Sequence, residues 1–219
     1  MKLSKYTVAI IIFGFILPII PATLGIYFHL SNSKLPTVVK IKVESDYGKW
    51  EGSGVFIADD LILTAGHIVE DANTIWIIWP DGRKRWTVDW YQETEADLGI
   101  IHVKTYEKEP TAKFNDAMVG ETVKAIGYPY YYYPVLTQGI ISAIDVEDDH
   151  LGGKNVFITD CPLVPGNSGC PIFDTNNNIL GICSWQISNK KSMSFCVPAK
   201  ICQLVIGKYQ AIKNLEGAK

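Results

Sequence analysis

From residue 35 onward, the sequence predicts an all-β domain that is closed by a single helix. Short apolar runs recur at intervals of roughly ten residues, as expected of consecutive strands. Turn-forming residues separate these runs, for example at Pro80-Asp81-Gly82 and at Gly152-Gly153. Such spacing is typical of β-barrels and β-sandwiches rather than of alternating strands and helices. A full hydrophobic core is expected, because 47% of the 219 residues are hydrophobic.

The strands fall into two predicted halves, at about residues 35–108 and 115–198. The charged stretch 104–114 is interpreted as the connection between them, and we expect a cleft where the halves meet. A closing helix is predicted over residues 199–214, directly after Pro198. Its apolar residues recur with a helical period, at Ile201, Leu204, Val205 and Ile212.

The first 34 residues have a different character, and the globular domain is therefore predicted to span residues 35–215. Lys2 and Lys5 precede a run at positions 6–30 that contains no Asp, Glu, Lys or Arg. About 20 such residues can cross a bilayer as a helix. We favour an uncleaved membrane anchor, and a cleaved signal peptide or a buried helix are the alternatives. Either of the first two places the domain at the membrane or outside the cytoplasm.

Charge and cysteine content exclude two classes of function. The formal net charge is −3, so no basic face for nucleic acid is expected. No cysteine pair forms a C-x-x-C motif or lies at metal-ligand spacing with a histidine, so no metal site is expected. The odd number argues against a complete disulfide framework, although one or two bridges remain open. The five cysteines are Cys161, Cys170, Cys183, Cys196 and Cys202.

A candidate nucleophile lies in the segment PGNSG at residues 165–169. A serine hydroxyl must be presented on a tight turn to act as a nucleophile, and the flanking glycines permit such a turn. The backbone N–H groups of Gly166 and Ser168 could then stabilise an oxyanion. Without further support, the same segment is more often an ordinary turn.

A candidate base and its orienting acid occur earlier in the chain. His67 follows an apolar strand and three small residues, which leave room for its ring at a strand end. The other histidines, His29, His102 and His150, are interpreted as ordinary surface or core residues. Asp97 directly precedes another apolar run, where an Asp alone would most often be a turn residue. Its alternative role is to accept the His67 N–H and stabilise the imidazolium.

These segments together resemble the chymotrypsin-like, or trypsin-like, serine peptidases, and most closely the bacterial HtrA branch. The resemblance covers about residues 37–205 and implies two six-stranded antiparallel β-barrels with a catalytic triad in the cleft between them. An N-terminal hydrophobic helix and the C-terminal helix would flank this fold. The matching motifs are GSGV at 52–55, TAGH at 64–67, DLGI at 97–100, TQGIIS at 137–142, PGNSG at 165–169 and FCVP at 195–198.

The resemblance implies a serine endopeptidase that acts on polypeptides through Ser168, His67 and Asp97. This chemistry requires no metal or cofactor. Asn167 stands where animal trypsins have an Asp that pairs with a newly cleaved N-terminus, so activation by such cleavage is not expected. We also expect the peptidase domain alone, without the PDZ module of many HtrA proteins.

The resemblance also indicates the substrate pocket. Pro162 takes the position of the pocket base, and because it is not an acid we do not expect a preference for Arg or Lys. The wall is expected at Ser184, Trp185 and Gln186, whose backbone would pair with the substrate strand. A small or aliphatic side chain is the predicted preference.

Two interpretations remain open at this stage. The tyrosine-rich segment at residues 128–134 is either a binding surface for a substrate, a partner or a membrane, or a loop packed on the second barrel. The alternatives to general proteolysis are a non-catalytic peptide-binding module on the same fold and a processing peptidase with one dedicated substrate.

Overall fold

The computed structural model describes residues 35–217, apart from positions 106, 132, 149–153 and 187–192. The predicted N-terminal anchor lies outside the described residues. Within the described ranges, no helix has the length and apolar character needed to cross a bilayer.

The first half is an antiparallel seven-stranded sheet. Its strand order is β5-β4-β1-β2-β3-β7-β6. A short helix, α1, follows β3, and a 3-10 turn at Thr94–Ala96 precedes β7. The elements are β1 (Val38–Ser45), β2 (Gly48–Ala58), β3 (Leu61–Ala65), α1 (Gly66–Val69), β4 (Thr74–Ile78), β5 (Lys84–Thr87), β6 (Trp90–Glu93) and β7 (Leu98–His102).

Alternation of side chains along β1 builds the core of the first half. Val39, Ile41 and Val43 are buried on one face of the sheet, in the same cluster as Phe56 and Trp79. The rings of Phe56 and Trp79 lie with their centroids 5.7 Å apart. Because burying each large apolar side chain contributes about 1.5–3 kcal/mol, this cluster gives the functional residues a rigid base.

The second half is a closed six-stranded barrel with the order β10-β13-β12-β11-β8-β9. Register shifts between β9 and β10, near Ile158, allow the sheet to curl and close. The strands are followed by helix α2. The elements are β8 (Thr122–Gly127), β9 (Val135–Asp148), β10 (Lys154–Thr159), β11 (Pro171–Phe173), β12 (Ile179–Gln186), β13 (Ser194–Pro198) and α2 (Ala199–Gly217).

This architecture confirms the predicted fold class, with two antiparallel β halves and a closing helix. In the first half the sheet has seven strands, whereas the family resemblance implies a six-stranded barrel. The sequence does not reveal β5 and β6 because each contains only four residues and neither forms a distinct apolar run. Helix α2 begins at Ala199, as the period predicts, and extends to Gly217.

Glu109 and Pro110 fix the connection between the halves to the first half of the protein. Glu109 is buried, and its carboxylate accepts a hydrogen bond of 2.8 Å from the indole N–H of Trp79. The carbonyl of Pro110 accepts a 2.8 Å hydrogen bond from the backbone N–H of Thr37. A buried carboxylate needs a hydrogen-bond donor such as the Trp79 indole. Glu109 therefore has a structural role, although it lies in a charged stretch of the sequence.

Candidate active site

The position of His67 is set by the end of β3. The chain turns into α1 at Gly66, where a Cβ atom would lie 2.9 Å from the backbone nitrogen of Leu98. Only glycine fits without a shift of the backbone, so the turn holds β3 close to the start of β7. Ile68 and Val69 are buried behind the turn, whereas the side chain of His67 is 41% exposed. The imidazole is therefore anchored by its neighbours and faces outward.

Asp97 adopts a left-handed backbone conformation, with φ of 46°, between the 3-10 turn and β7. Asp tolerates this region better than most residues do. Its carboxylate accepts a 2.8 Å hydrogen bond from the backbone N–H of His67. The Nδ1 atom of His67 lies 3.0 Å from Oδ2 and 3.1 Å from Oδ1 of the same carboxylate. The two residues, 30 positions apart, thus form a close pair.

Ser184, on β12, donates a hydrogen bond from its hydroxyl to Oδ2 of Asp97. This links the second half to the acid of the first half. The sequence predicts Ser184 only as a wall of the substrate pocket, and nothing local in the sequence indicates the contact with Asp97. The hydroxyl gives the carboxylate one more donor, which fixes its orientation.

The electrostatics of the pair follow from these contacts. Burial alone would raise the pKa of Asp97, but the hydrogen bond and charge of His67, together with Ser184, hold it below its usual value. Burial alone would lower the pKa of His67, but the hydrogen bond and charge of Asp97 raise it above 6.5. The arrangement thus favours an ionised Asp97 and stabilises a positive charge on the imidazole.

The loop that carries Ser168 depends on two glycines with positive φ, Gly166 at 97° and Gly169 at 83°. A Cβ atom on Gly169 would collide with the carbonyl of Ser53 and the hydroxyl of Thr64. Two backbone hydrogen bonds fix the loop from outside. The N–H of Gly169 donates to the carbonyl of Cys183 at 2.8 Å, and the N–H of Ser53 donates to the carbonyl of Ser168 at 2.8 Å.

The carbonyls of Pro165 and Gly166 point into the scaffold. The carbonyl of Pro165 accepts a 2.8 Å hydrogen bond from the N–H of Tyr130. The carbonyl of Gly166 accepts one of 2.7 Å from the hydroxyl of Ser53, which itself accepts the N–H of Tyr128 at 2.9 Å. In a trans peptide the C=O and N–H point in opposite directions. The N–H of Gly166 is therefore directed away from Tyr130.

His67 and Ser168 line one open cleft of about 410 Å³. Gly166 and Pro165 border the same space, and the remaining wall comes from the first half of the protein. The structure thus brings three segments of the sequence prediction to one place. A basic ring on a carboxylate, a serine on a glycine-rich turn and backbone donors are the groups needed for acyl transfer.

Comparison with known proteins decides the family. The model of the family described as "Trypsin-like peptidase domain" matches residues 52–182, a range that contains all three segments. The chain belongs to this trypsin-like peptidase family.

HtrA and DegP proteins are among the relatives of the chain. It is 33% identical, over 162 residues, to a "Probable periplasmic serine endoprotease DegP-like" of Halomonas elongata, covering 68% of this chain and 33% of the relative. It is 31% identical, over 185 residues, to "Serine protease Do-like HtrA" of Bacillus subtilis, covering 77% of this chain and 41% of the relative. The chain therefore spans well under half the length of these relatives.

Solved structures agree with this assignment. A serine endoprotease from Yersinia pestis is 28% identical with a TM-score of 0.69, covering 79% of this chain and 62% of that chain. A variant of the HtrA-type protease AlgW with a tripeptide is 25% identical with a TM-score of 0.73, covering 81% and 61%.

None of the residues predicted for the trypsin-like substrate pocket lines the cleft of His67 and Ser168. Pro162 is exposed, and Trp185 stacks on Phe195 with ring centroids 4.0 Å apart. Ser184–Gln186 extend β12 beyond Ile182, the last residue of β12 that pairs with β11. The side chain of Gln186 lies outside the described residues.

The cysteines take no part in a disulfide, since all five are free and buried. Four of them lie in the core of the second barrel: Cys161, Cys170, Cys183 and Cys196. Within the described ranges, no group of three His, Cys, Asp or Glu side chains is arranged to hold a metal ion.

The tyrosine-rich segment includes part of the support for the Ser168 loop. Tyr128 is buried, and its ring hydroxyl donates a hydrogen bond of 3.4 Å to the carbonyl of Val38. Tyr130, with φ of 48°, provides the N–H that binds Pro165. Tyr133 is exposed. Tyr128 is thus packed against the first half, whereas Tyr130 is 56% exposed, and both interpretations of the segment stay open.

Proposed function

We propose that the chain is a serine endopeptidase that hydrolyses polypeptides through Ser168, His67 and Asp97. The observation that carries the proposal is the pairing of Nδ1 of His67 with Asp97 at 3.0 Å, in a cleft shared with Ser168. Asp97 keeps the proton on Nδ1, so Nε2 is free to accept a proton. The HtrA and DegP relatives, which are named as serine proteases, support the same activity.

The reaction follows from these roles. Nε2 of His67 takes the proton of the Ser168 hydroxyl as the oxygen attacks the peptide carbonyl. The imidazolium, stabilised by Asp97, then gives that proton to the leaving amine as the C–N bond breaks. A water molecule, deprotonated by the same nitrogen, attacks the acyl-enzyme and releases the carboxylic acid product. Asp97 stays ionised throughout, and Ser184 is a positioning residue that keeps its carboxylate in place.

The oxyanion hole is assigned to the backbone N–H groups of Gly166 and Ser168. The fixed carbonyl of Pro165 supports this assignment, because it belongs to the same peptide group as the Gly166 N–H and turns that N–H away from Tyr130. A carbonyl pointing into the hole would repel the oxyanion instead. One such donor contributes about 3–4 kcal/mol of transition-state stabilisation.

The acyl side of the substrate would bind along Ser184, Trp185 and Gln186. The extension of β12 beyond its pairing with β11 supports strand addition at this edge. Pro162 would form the base of the pocket for the side chain before the scissile bond. Because Pro162 has no charge, this pocket should prefer small or aliphatic side chains over Arg or Lys.

We further propose that the peptidase domain spans residues 35–215 and acts at the membrane or outside the cytoplasm. The length and charge pattern of residues 1–34 support a membrane anchor. Periplasmic DegP-like proteins are among the relatives, which supports an exported location. Fractionation of cells into soluble and membrane parts tests the membrane anchor. The accessibility of the domain to an external protease tests the exported location.

The activity is tested with the full chain in a mild detergent and denatured casein as substrate. We expect hydrolysis that is lost in Ser168→Ala and retained in Ser142→Ala, a matched change of an exposed serine on β9. A folded protein that binds casein without cleaving it would contradict the proposal and favour a peptide-binding module. Cleavage of one cellular protein but not of casein would instead indicate a dedicated processing peptidase.

A further inference from the structure

The cleft beside His67 is lined in part by residues that the proposed mechanism does not use, and Ser184–Gln186 are not among its lining residues. It is lined by Tyr47 and Trp50 from the β1–β2 hairpin and by Ile68, Glu70 and Asp71 after the histidine. We propose that this part of the cleft binds the leaving-group side of the substrate and favours a basic residue within the first two positions after the scissile bond. The inference rests on the proposed peptidase function.

The proposed reaction indicates that the part of the substrate after the scissile bond binds in this part of the cleft. The acyl part of the substrate is assigned to β12 and Pro162, and none of those residues lines this space. His67 must protonate the amine that leaves, so the chain beyond the scissile bond has to pass next to the imidazole. Ile68, Glu70 and Asp71, which follow His67 in the chain, line the cleft beside it.

The wall of this subsite is rigid on one face. The indole N–H of Trp50 donates a 2.9 Å hydrogen bond to the carbonyl of Ile68, which locks the hairpin onto α1. Ile68 is buried beneath it. Tyr47 is 83% exposed at the tip of the hairpin, so its ring is accessible to a bound substrate. Aromatic rings of this kind pack well on the aliphatic stem of Lys or Arg and attract its charge.

The subsite carries a net negative charge, because Glu51 is neutralised by lysines whereas Glu70 and Asp71 are not. Glu51 is held by Lys40 and Lys42, each at 2.7 Å. Glu70 and Asp71 are exposed, and no Lys or Arg of the described chain pairs with either of them. Two carboxylates therefore remain available to a bound cation, next to the catalytic histidine.

The size of the preference follows from the exposure of these groups. Solvent-exposed ion pairs change binding by roughly two- to fivefold each. We therefore expect a Lys-over-Glu preference of about five- to twentyfold at low salt, since the attraction for Lys and the repulsion of Glu add. The preference should shrink as salt screens the charges.

The test uses quenched fluorescent peptides with a constant acyl side and with Lys, Gln or Glu in the first or second position after the cleaved bond. The full chain is compared with Glu70→Gln/Asp71→Asn, in which Asn retains the left-handed backbone at position 71, where φ is 52°. The control, Asp116→Asn/Glu147→Gln, removes two exposed carboxylates outside the cleft lining. Cleavage is measured as kcat/KM, and binding of the same peptides is measured on Ser168→Ala by fluorescence anisotropy.

We expect the order Lys, Gln, Glu in cleavage and in binding, lost in the Glu70/Asp71 variant and kept in the control. Equal values for the three peptides, or an unchanged order in the Glu70/Asp71 variant, would overturn the subsite. Binding separates this inference from the proposed function. If peptides bind with the predicted order but are never cleaved, the charge preference stands and the peptidase function fails. If peptides are cleaved with no charge preference, only the subsite fails.

Discussion

The His67–Asp97 pair and the loop of Ser168 face the same cleft, but the fold holds them in different ways. The pair is held mainly by side-chain contacts, with the carboxylate of Asp97 bound to His67 and Ser184. The loop is held through its own backbone groups, which bond to Tyr130, to Cys183 and to both the N–H and the hydroxyl of Ser53. Changes in the pair should therefore alter proton transfer while the fold persists. Changes around the loop should alter the position of the oxyanion donors.

The largest effect is expected where the pair is broken without a change of shape. Asp97→Asn removes the charge and allows the amide to donate to Nδ1, which leaves the wrong imidazole nitrogen protonated. We expect kcat to fall about 10⁴-fold, as in other triads of this kind. The measurement is peptide hydrolysis at pH 8, and thermal unfolding should differ by only a few degrees. A loss below about tenfold would show that Asp97 does not control His67.

The next effect tests the backbone support of the loop. Ser53→Ala removes the hydroxyl that accepts the Tyr128 N–H and donates to the carbonyl of Gly166. We expect kcat to fall by about 10- to 1000-fold, because Gly166, which carries a proposed oxyanion N–H, loses the anchor of its carbonyl. Stability should also fall by about 1–3 kcal/mol, since buried polar groups lose their partner.

Kinetics separate these two consequences of Ser53→Ala. Measurements at a temperature well below the unfolding midpoint report on the loop alone, and Ser142→Ala serves as the exposed control. Full activity in a destabilised Ser53→Ala protein would mean that the hydroxyl supports the fold but not the oxyanion site.

A smaller effect is expected at the link between the halves. Ser184→Ala takes one donor from the Asp97 carboxylate and leaves the His67 contact intact. We expect kcat to fall about tenfold, since the acid keeps its charge but loses part of its orientation. Ser184→Thr retains a hydroxyl and should recover activity. An unchanged kcat with a raised KM would place Ser184 in the substrate wall alone, as the sequence predicts.

The smallest effect is a shift in the pH profile. Catalysis needs a neutral imidazole, and Asp97 raises the pKa of His67 above 6.5 against the opposing effect of burial. Activity should therefore fall as the pH drops through a midpoint above 6.5, and residual activity of Asp97→Asn should have a lower midpoint. The profile of kcat/KM from about pH 5 to about pH 9 measures both values. Equal midpoints in the two proteins would contradict the coupling.

The sequence predicts the parts of the site that depend on neighbouring residues, but not those that depend on contacts between distant residues. Local features, such as the glycines around Ser168 and the small residues before His67, predict the segments that the structure brings together. The two hydroxyls that brace them are not visible locally, because Ser53 and Ser184 act across 113 and 87 positions of sequence. Glu109 is misleading for a similar reason, since its charge suggests an exposed linker whereas the indole of Trp79 holds it in the core.

The central claim is that Ser168 is a nucleophile activated by His67. Labelling of the full chain with a fluorophosphonate, mapped by peptide mass spectrometry between about pH 6 and about pH 9, tests it directly. We predict a single modified residue, Ser168, whose labelling rate rises with pH as His67 loses its proton and collapses in His67→Ala. A folded protein in which Ser168 remains unmodified across this range, or reacts equally fast in His67→Ala, would contradict the account.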